Sequence, residues 1–345
     1  MMKKYMKILP LFLVFALFGV LIEGCISGYM TEDDMPYEEE IPSDDNNYIV
    51  IGFSQIGSES DWRTAHTESI KETFTADNGY YLLYEDAQQK LENQIKAVRN
   101  FILQEVDYII LDPIVENGWD TVLAEAKDAG IPVIVVDRQV VVEDESLYTC
   151  WVGSNFHKEG KRAGVWLEKY LKDKGRTEEE IQIVTLQGTT DSSAQIGRTK
   201  GFEQILLRNQ NWNMLEYKNG EFTQAKGKEV MEYYLRTYPD IDVVISENDN
   251  MTFGAVEAIE EAGKTCGPDG DMIVISFDAV RTALQFMADG KINADFECNP
   301  LFGPQVMEII KQLESGKDVE KTQYVEEQYF DASMDLENII PERAY

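Results

Sequence analysis

Asp128-Ala129-Gly130-Ile131-Pro132-Val133-Ile134-Val135-Val136-Asp137-Arg138 decides how this chain folds. Gly130 stops a helix, because glycine takes the left-handed conformation at a helix end without a Cβ penalty. Pro132 then stands where the helix cannot continue. Four β-branched aliphatics follow with no polar alternation, the pattern of a strand covered on both faces. A helix that feeds such a strand belongs to a parallel sheet flanked by helices. The strand ends on a charged pair, Asp137 and Arg138.

The same rhythm extends in both directions. Upstream, strand-like runs lie at 48–53, 80–84 and 108–111, separated by helix-period segments such as 88–104. There Ile95, Val98, Phe101 and Ile102 form one apolar stripe. Downstream, after a run at 148–152, strands are expected at 181–186, 214–217, 243–246, 272–276 and 293–297. Helices are expected at 156–172, 194–207, 223–237, 251–262 and 302–313. Two consecutive doubly wound units of similar size make a two-lobed α/β molecule with a cleft between the lobes. The last thirty residues fit neither rhythm and read as a strap and tail.

The N-terminus carries a different signal. Lys3, Lys4 and Lys7 precede an apolar run at 8–22 that ends in Glu23-Gly24-Cys25, the parts of a secretory leader. Fifteen helical residues rise about 22 Å, short of a hydrocarbon core of roughly 30 Å, so a membrane span is the poorer reading. Residues 26–47 follow with eight carboxylates, two prolines and no apolar periodicity. Such a segment cannot bury enough surface to offset chain entropy and reads as a self-repelling spacer.

The remaining 300 or so residues suffice for two lobes of ordinary size. Net charge is −32, from 63 acidic and 31 basic residues, which argues against nucleic acid or anionic lipid as a partner. Four cysteines, Cys25, Cys150, Cys266 and Cys298, show no C-x-x-C or zinc spacing, and neither a metal nor a cofactor is implied. No G-x-S-x-G elbow, P-loop or G-x-G-x-x-G is present, and the two histidines, His66 and His157, are far apart on expected helices. Catalysis is therefore not the expected role, although the many carboxylates alone do not exclude a glycosidase. A repressor of similar fold would need a DNA-binding helix-turn-helix where this chain has a leader.

Ligands of open parallel sheets sit beyond the carboxyl ends of the strands. Here those ends carry Ser54-Gln55, Asp86, Asp112, Asp137-Arg138, Gln187-Gly188, Asn219, Glu247-Asn248-Asp249 and Asp278, each with a carboxylate or a carboxamide. Helix capping explains some of them. Arg138 at a strand end, Arg198 early in a helix and Trp62 in the first turn of another add offsetting charge and an aromatic face. That combination suits an uncharged polyhydroxyl ligand, whose hydroxyls donate to carboxylates and accept from guanidinium or amide. A tryptophan packed in the core is the competing reading of Trp62.

Longer stretches carry a family resemblance. They include Gly52-Phe53-Ser54-Gln55-Ile56-Gly57-Ser58-Glu59-Ser60, Trp62-Arg63, Gln88-Gln89-Lys90, Asn117-Gly118-Trp119, Asp137-Arg138, Leu186-Gln187-Gly188-Thr189 and Gly220-Glu221-Phe222-Thr223. From about residue 49 to 317 the chain resembles the periplasmic sugar-binding proteins of ABC transporters, the ribose/galactose type, and among them the galactofuranose-binding members. The resemblance implies a type I periplasmic-binding-protein fold, two doubly wound lobes joined by a three-segment hinge with crossings near Ser154, Glu297 and Gln323. Residues 48–153 with 298–322 would form the first lobe, and 154–297 with 323–345 the second. It implies ligand contacts from Ser54, Gln55, Ser58, Glu59, Trp62, Arg63, Asp137, Arg138, Arg198, Asn248 and Asp278, and further from Asp86, Gln88 and Glu297. Gly24-Cys25 resembles a lipobox, which implies a lipid on Cys25 and a monomer tethered outside the cytoplasm. The implied partners are a monosaccharide and the permease and ATPase of an importer, or else a membrane receptor kinase that reads the bound sugar. The run Glu247-Asn248-Asp249-Asn250 departs from the family, and no disulfide is inherited.

Overall fold

The computed structural model describes residues 48–345. The leader, Cys25 and the acidic spacer lie outside the described residues.

The chain builds its first sheet with β1 (Ile49–Gln55), β2 (Tyr80–Asp86), β3 (Tyr108–Leu111), β4 (Val133–Val136) and β5 (Cys150–Gly153). Helices α1 (Asp61–Thr73), α2 (Leu91–Leu103) and α3 (Asp120–Asp128) cross between these strands. The second sheet takes β6 (Ile181–Gln187), β7 (Trp212–Asn219), β8 (Val243–Ser246), β9 (Ile273–Asp278) and β10 (Ala294–Glu297). Its helices are α4 (Phe156–Asp173), α5 (Ser193–Leu206), α6 (Gln224–Thr237), α7 (Asp249–Glu261) and α8 (Arg281–Ala288). Helix α9 (Gly303–Glu314) returns to pack on α1, and β11 (Thr322–Tyr324) closes the first sheet. β12 (Tyr329–Asp331) and α10 (Leu336–Glu342) complete the second lobe.

Both sheets have six strands, in the orders β11-β5-β4-β3-β1-β2 and β12-β10-β9-β8-β6-β7. All pairings are parallel except β10 with β12. Parallel strands covered on both faces explain the unalternating aliphatic runs: β3, β4 and β8 are buried at every position. Two clusters of buried apolar side chains each belong to one lobe, around Phe101 and Trp119 in the first and Leu167 and Phe277 in the second. A third contains residues of both lobes, among them Trp62, Phe156 and Phe302.

Helix starts are capped by the side chains that the sequence offers. Ser60, Asn155, Ser192, Thr223 and Asn248 each accept a backbone N–H of the following turn.

The polypeptide passes between the lobes three times: at Ser154–Asn155, after Glu297, and between Tyr324 and Tyr329. Residues 322–324 pair with β5, so the third crossing lies a few residues beyond the expected Gln323. The tail is more regular than a strap. β12 is an edge strand, and α10 delivers Arg343 to Glu297. Cys150, Cys266 and Cys298 are buried free thiols. No helix among the described residues is long and apolar enough to cross a membrane.

Candidate ligand-binding site

Strand order fixes where a ligand can sit. In each sheet the winding reverses direction once, between β1 and β3 in the first lobe and between β6 and β8 in the second. Loops at such a reversal leave opposite faces of the sheet and open a crevice at the carboxyl ends. The two crevices face each other. A cavity lies between them, lined by Glu59, Ser60, Trp62, Arg63, Asp137 and Arg138 from the first lobe and Phe156, Ala194, Arg198, Phe222, Asn248 and Asp278 from the second. Cys298, on the second crossing, completes it.

On the first-lobe side, Arg63 is the centre of a buried ionic cluster. Its Nε donates to Glu59 at 3.0 Å, and its Nη1 donates to Asp112 and, at 2.9 Å, to Asp137. Burial alone would raise the Glu59 carboxyl, but Arg63 and Arg138 outweigh it and hold the group below its ordinary value. Asp112 has no exposed surface, and burial pushes it up to about 7 against the pull of Arg63 and Arg138. His66 packs against Phe53, Trp62 and Phe302, and burial with Arg63 nearby drives it down to about 3, so it stays neutral. Arg138 donates one hydrogen bond, from Nη1 to the Ile114 carbonyl at 2.8 Å, while its buried Nε has no partner.

The second lobe repeats the design with one guanidinium. Arg198 donates from Nε to Glu159 at 2.7 Å, from Nη1 to the Glu247 carbonyl, and from Nη2 to Asp278 at 3.2 Å. Its guanidinium also lies against the rings of Phe156 and Phe277. Burial pushes the Asp278 and Glu159 carboxyls up, partly offset by Arg198. Asp137 and Asp278 occupy corresponding strand ends, and both have positive φ, 57° and 106°. Such backbone is strained for a residue with a side chain and clusters where function demands it.

The lobes touch across the cleft. The Asp61 N–H donates to Asn250 Oδ1 at 3.0 Å, the Glu116 N–H to the Asp191 carbonyl at 3.1 Å, and the Gln139 N–H to Ser193 Oγ at 2.8 Å. Arg63, Asp137, Arg138, Arg198, Asn248 and Asp278 are consequently all buried. This is a closed arrangement.

Of the residues expected at the site, Glu59, Trp62, Arg63, Asp137, Arg138, Arg198, Asn248 and Asp278 line the cavity. The others do not. Ser54 is buried in β1, and Gln55 is spent on Thr67, His66 and the Ile56 N–H. Ser58 is exposed, outside the cavity. Asp86 ends the edge strand β2, beyond the reversal between β1 and β3, where its carboxylate accepts the Gln88 N–H at 2.7 Å in an exposed turn. Asn219 makes the same turn with Glu221 at the end of β7, the matching edge strand. Glu297 is taken by Arg343, the Tyr345 hydroxyl and the Gln328 N–H.

Sequence reading passed over the apolar walls, Phe156, Ala194 and Phe222, and the hinge residue Cys298. Phe222 stood within a stretch that carried the family resemblance, and Gly188 exists for it: a Cβ there would fall inside the Phe222 ring. Asn248 both caps α7 through Oδ1 and donates from Nδ2 to the Phe222 carbonyl at 3.1 Å, so one amide builds the wall and faces the cavity.

Chemically, the cavity wall sets three guanidiniums, of Arg63, Arg138 and Arg198, against three carboxyls, of Glu59, Asp137 and Asp278. A neutral molecule with several hydroxyls would find acceptors in Asp137 and Asp278, a free donor in Arg138, and the apolar faces of Trp62, Phe156 and Phe222.

Comparison with known proteins agrees with this architecture. Residues 51–318 match the periplasmic binding protein domain. The galactofuranose-binding protein YtfQ of Escherichia coli is 41% identical over 277 residues, covering 79% of this chain and 85% of the relative. A Mycobacterium smegmatis protein crystallised with β-D-fucofuranose superposes with a TM-score of 0.81 at 41% identity, over 85% of this chain and 94% of the other. The binding protein of the Shewanella sp. ANA-3 arabinose ABC transporter, bound to L-arabinofuranose, gives 0.80 at 42%, over 86% and 95%. With two facing sheet reversals, three crossings and this match over most of its length, the chain belongs to the periplasmic binding protein domain family.

Proposed function

We propose that this protein is the extracytoplasmic binding component of a carbohydrate ABC importer, taking a neutral monosaccharide of the furanose class into the cavity between its lobes. The observation that carries the reading is Arg138: a fully buried guanidinium in the cavity wall whose Nε–H has no partner in the protein. A buried donor left unpaired is costly, and a sugar hydroxyl is the group that would pair it. Relatives that bind galactofuranose, fucofuranose and arabinofuranose support the sugar class.

Delivery follows from closure. The cross-cleft hydrogen bonds exist only when the lobes meet, so a sugar that touches both lobes favours that form, and a membrane permease with its ATPase reads it. The tether is the leader followed by Gly24-Cys25 and the acidic spacer, with a lipid on Cys25 holding a monomer at the outer face of the membrane. Binding asks for no catalyst, and burial pushes the Cys298 thiol far above its ordinary value, away from the nucleophilic thiolate.

A thermal-shift panel tests the sugar class. L-Arabinose, D-galactose, D-fucose and D-ribose are compared with a sugar phosphate and a uronic acid. A ligand present at about 100 times its Kd adds roughly 2.7 kcal/mol of stability. Stabilisation by neutral sugars and none by the anions is expected; stabilisation by the anions alone would overturn the reading.

A further inference from the structure

The three crossings meet in one cluster that the ligand cavity does not explain. Ser154 comes from the first crossing, Cys298 from the second and Glu327 from the third. Ser154 Oγ lies 3.2 Å from Cys298 Sγ, and Glu327 Oε1 accepts the Asn299 N–H at 3.4 Å. One oxygen of Glu159, one of Glu327 and the Cys298 sulfur fall within 4.8 Å of one another. Glu159 in turn holds Arg198, the cavity's second-lobe guanidinium.

Two carboxyls approach each other here, and Arg198 is paired with one of them, Glu159. Arg198 directs three of its five N–H groups to Glu159, the Glu247 carbonyl and Asp278. Oε2 of Glu159 is satisfied by Arg198, while its buried Oε1 has no partner. The other charged groups that act on the cluster are Arg162 and Asp137 on Glu159, and Asp278 and Tyr345 around Cys298. Arg198 already supplies the local cation, so a metal ion between these ligands would meet a guanidinium. A proton meets no such obstacle.

We propose that Glu327 is a positioning residue for the sugar site: in the closed cleft its carboxyl is protonated and donates to the free oxygen of Glu159, which fixes the Glu159–Arg198 pair against Asp278. The third crossing thereby reports lobe closure to the guanidinium in the cavity. Burial raises Glu327 to about 8, with Glu159 adding to the rise. Opening the lobes pulls the crossings apart and returns the group toward the ordinary carboxyl range, so closure takes up a proton. The sign follows. The contribution of Glu327 to binding is complete below the open-form value, declines as pH rises toward about 8, and is gone above it.

This inference rests on the sugar-binding reading for one of its two tests. In the first, L-arabinose is titrated calorimetrically into wild type, Glu327→Gln and Glu327→Ala between about pH 6 and 9. The Gln amide donates at every pH, so its affinity should hold where wild type weakens by up to about tenfold per unit. The Ala variant should bind about tenfold more weakly than Gln throughout. Parallel pH profiles for wild type and Gln would overturn the proposal. The second test uses no sugar: urea unfolding across the same range should show wild type losing stability toward about pH 8 relative to Glu327→Gln. Equal pH dependence there would overturn the proposal as well. Failure of every sugar to bind would count against the function proposed above and leave the unfolding comparison to decide this one.

Discussion

The Arg138 guanidinium lies over the Phe222 ring, 5.2 Å from its centre, one residue from each lobe across the cleft. The contact exists only when the lobes are together. It places the cavity's unpaired donor against the wall that Gly188 makes room for. Such a pair is worth about 0.5–2 kcal/mol, depending on how fully it is desolvated. It therefore biases closure without locking it, which suits a protein that must release its ligand.

Arg138 and Arg198 should part company when each is changed to alanine. Arg198 neutralises the buried Glu159 and Asp278, and its removal strands both carboxyls. A loss of about 3–5 kcal/mol is expected. Arg138 donates to one backbone carbonyl, so the Arg138→Ala variant should lose no more than about 1–3 kcal/mol. Urea unfolding of the two variants measures the contrast, and equal losses would mean that Arg138 is a structural residue.

Gly160 sets the distance between α4 and α5. A Cβ there would run into the backbone of Arg198 itself. Gly160→Ala should cost about 1–3 kcal/mol by overpacking and weaken sugar binding through displacement of Arg198. A variant with wild-type melting temperature and affinity would show that the helices have slack.

Glu247 gives a pH-dependence with a definite sign. It is buried, accepts from Thr199 Oγ1 at 2.6 Å and the Gly188 N–H at 2.8 Å, and burial raises it to about 8. A carboxyl raised on folding stabilises fully below its unfolded value, and that stability declines as pH rises to about 8. Wild type should lose up to about 1.4 kcal/mol per pH unit from this group, and Glu247→Gln should show a flatter curve by urea unfolding. A steeper curve for the variant would reverse the assignment.

Trp62 ties the first helix to the hinge, since its indole N–H donates to the Cys298 carbonyl at 2.6 Å. Trp62→Phe keeps an aromatic face and loses that bond, so stability should fall by about 0.5–1.5 kcal/mol. Trp62→Ala also empties part of the core, and a fall of about 3–5 kcal/mol is expected. Calorimetric melting separates the two; identical melting of Phe and Ala variants would deny the ring a packing role.

The sheet strands were the most legible part of the chain. β3, β4 and β8 are short runs built on three or four consecutive aliphatic residues, and their expected limits match the structure. Helix α8 escaped because Arg281–Ala288 is short and has no side-chain cap. At the site, Asp137, Arg138 and Asp278 could be read from strand ends because winding direction brings those ends to the cleft, and Arg198 from the first turns of the helix that follows β6. Asp86 shares the local pattern but sits on an edge strand, and position within a sheet order is not written locally. Glu297 failed for a similar reason. Its partner Arg343 arrives from 46 residues away, on a tail whose docking no periodicity announced. Phe156 and Phe222 look like ordinary core aromatics until the two lobes face each other.

The most direct test of a sugar held between the lobes is isothermal calorimetry of L-arabinose and D-galactose against wild type and Arg138→Ala. One saturable site per chain is expected in wild type, with an affinity about 10- to 100-fold weaker in the variant, the worth of a charge-assisted hydrogen bond of about 1.5–3 kcal/mol. Saturable binding of equal strength in both proteins would place the sugar somewhere other than this cleft.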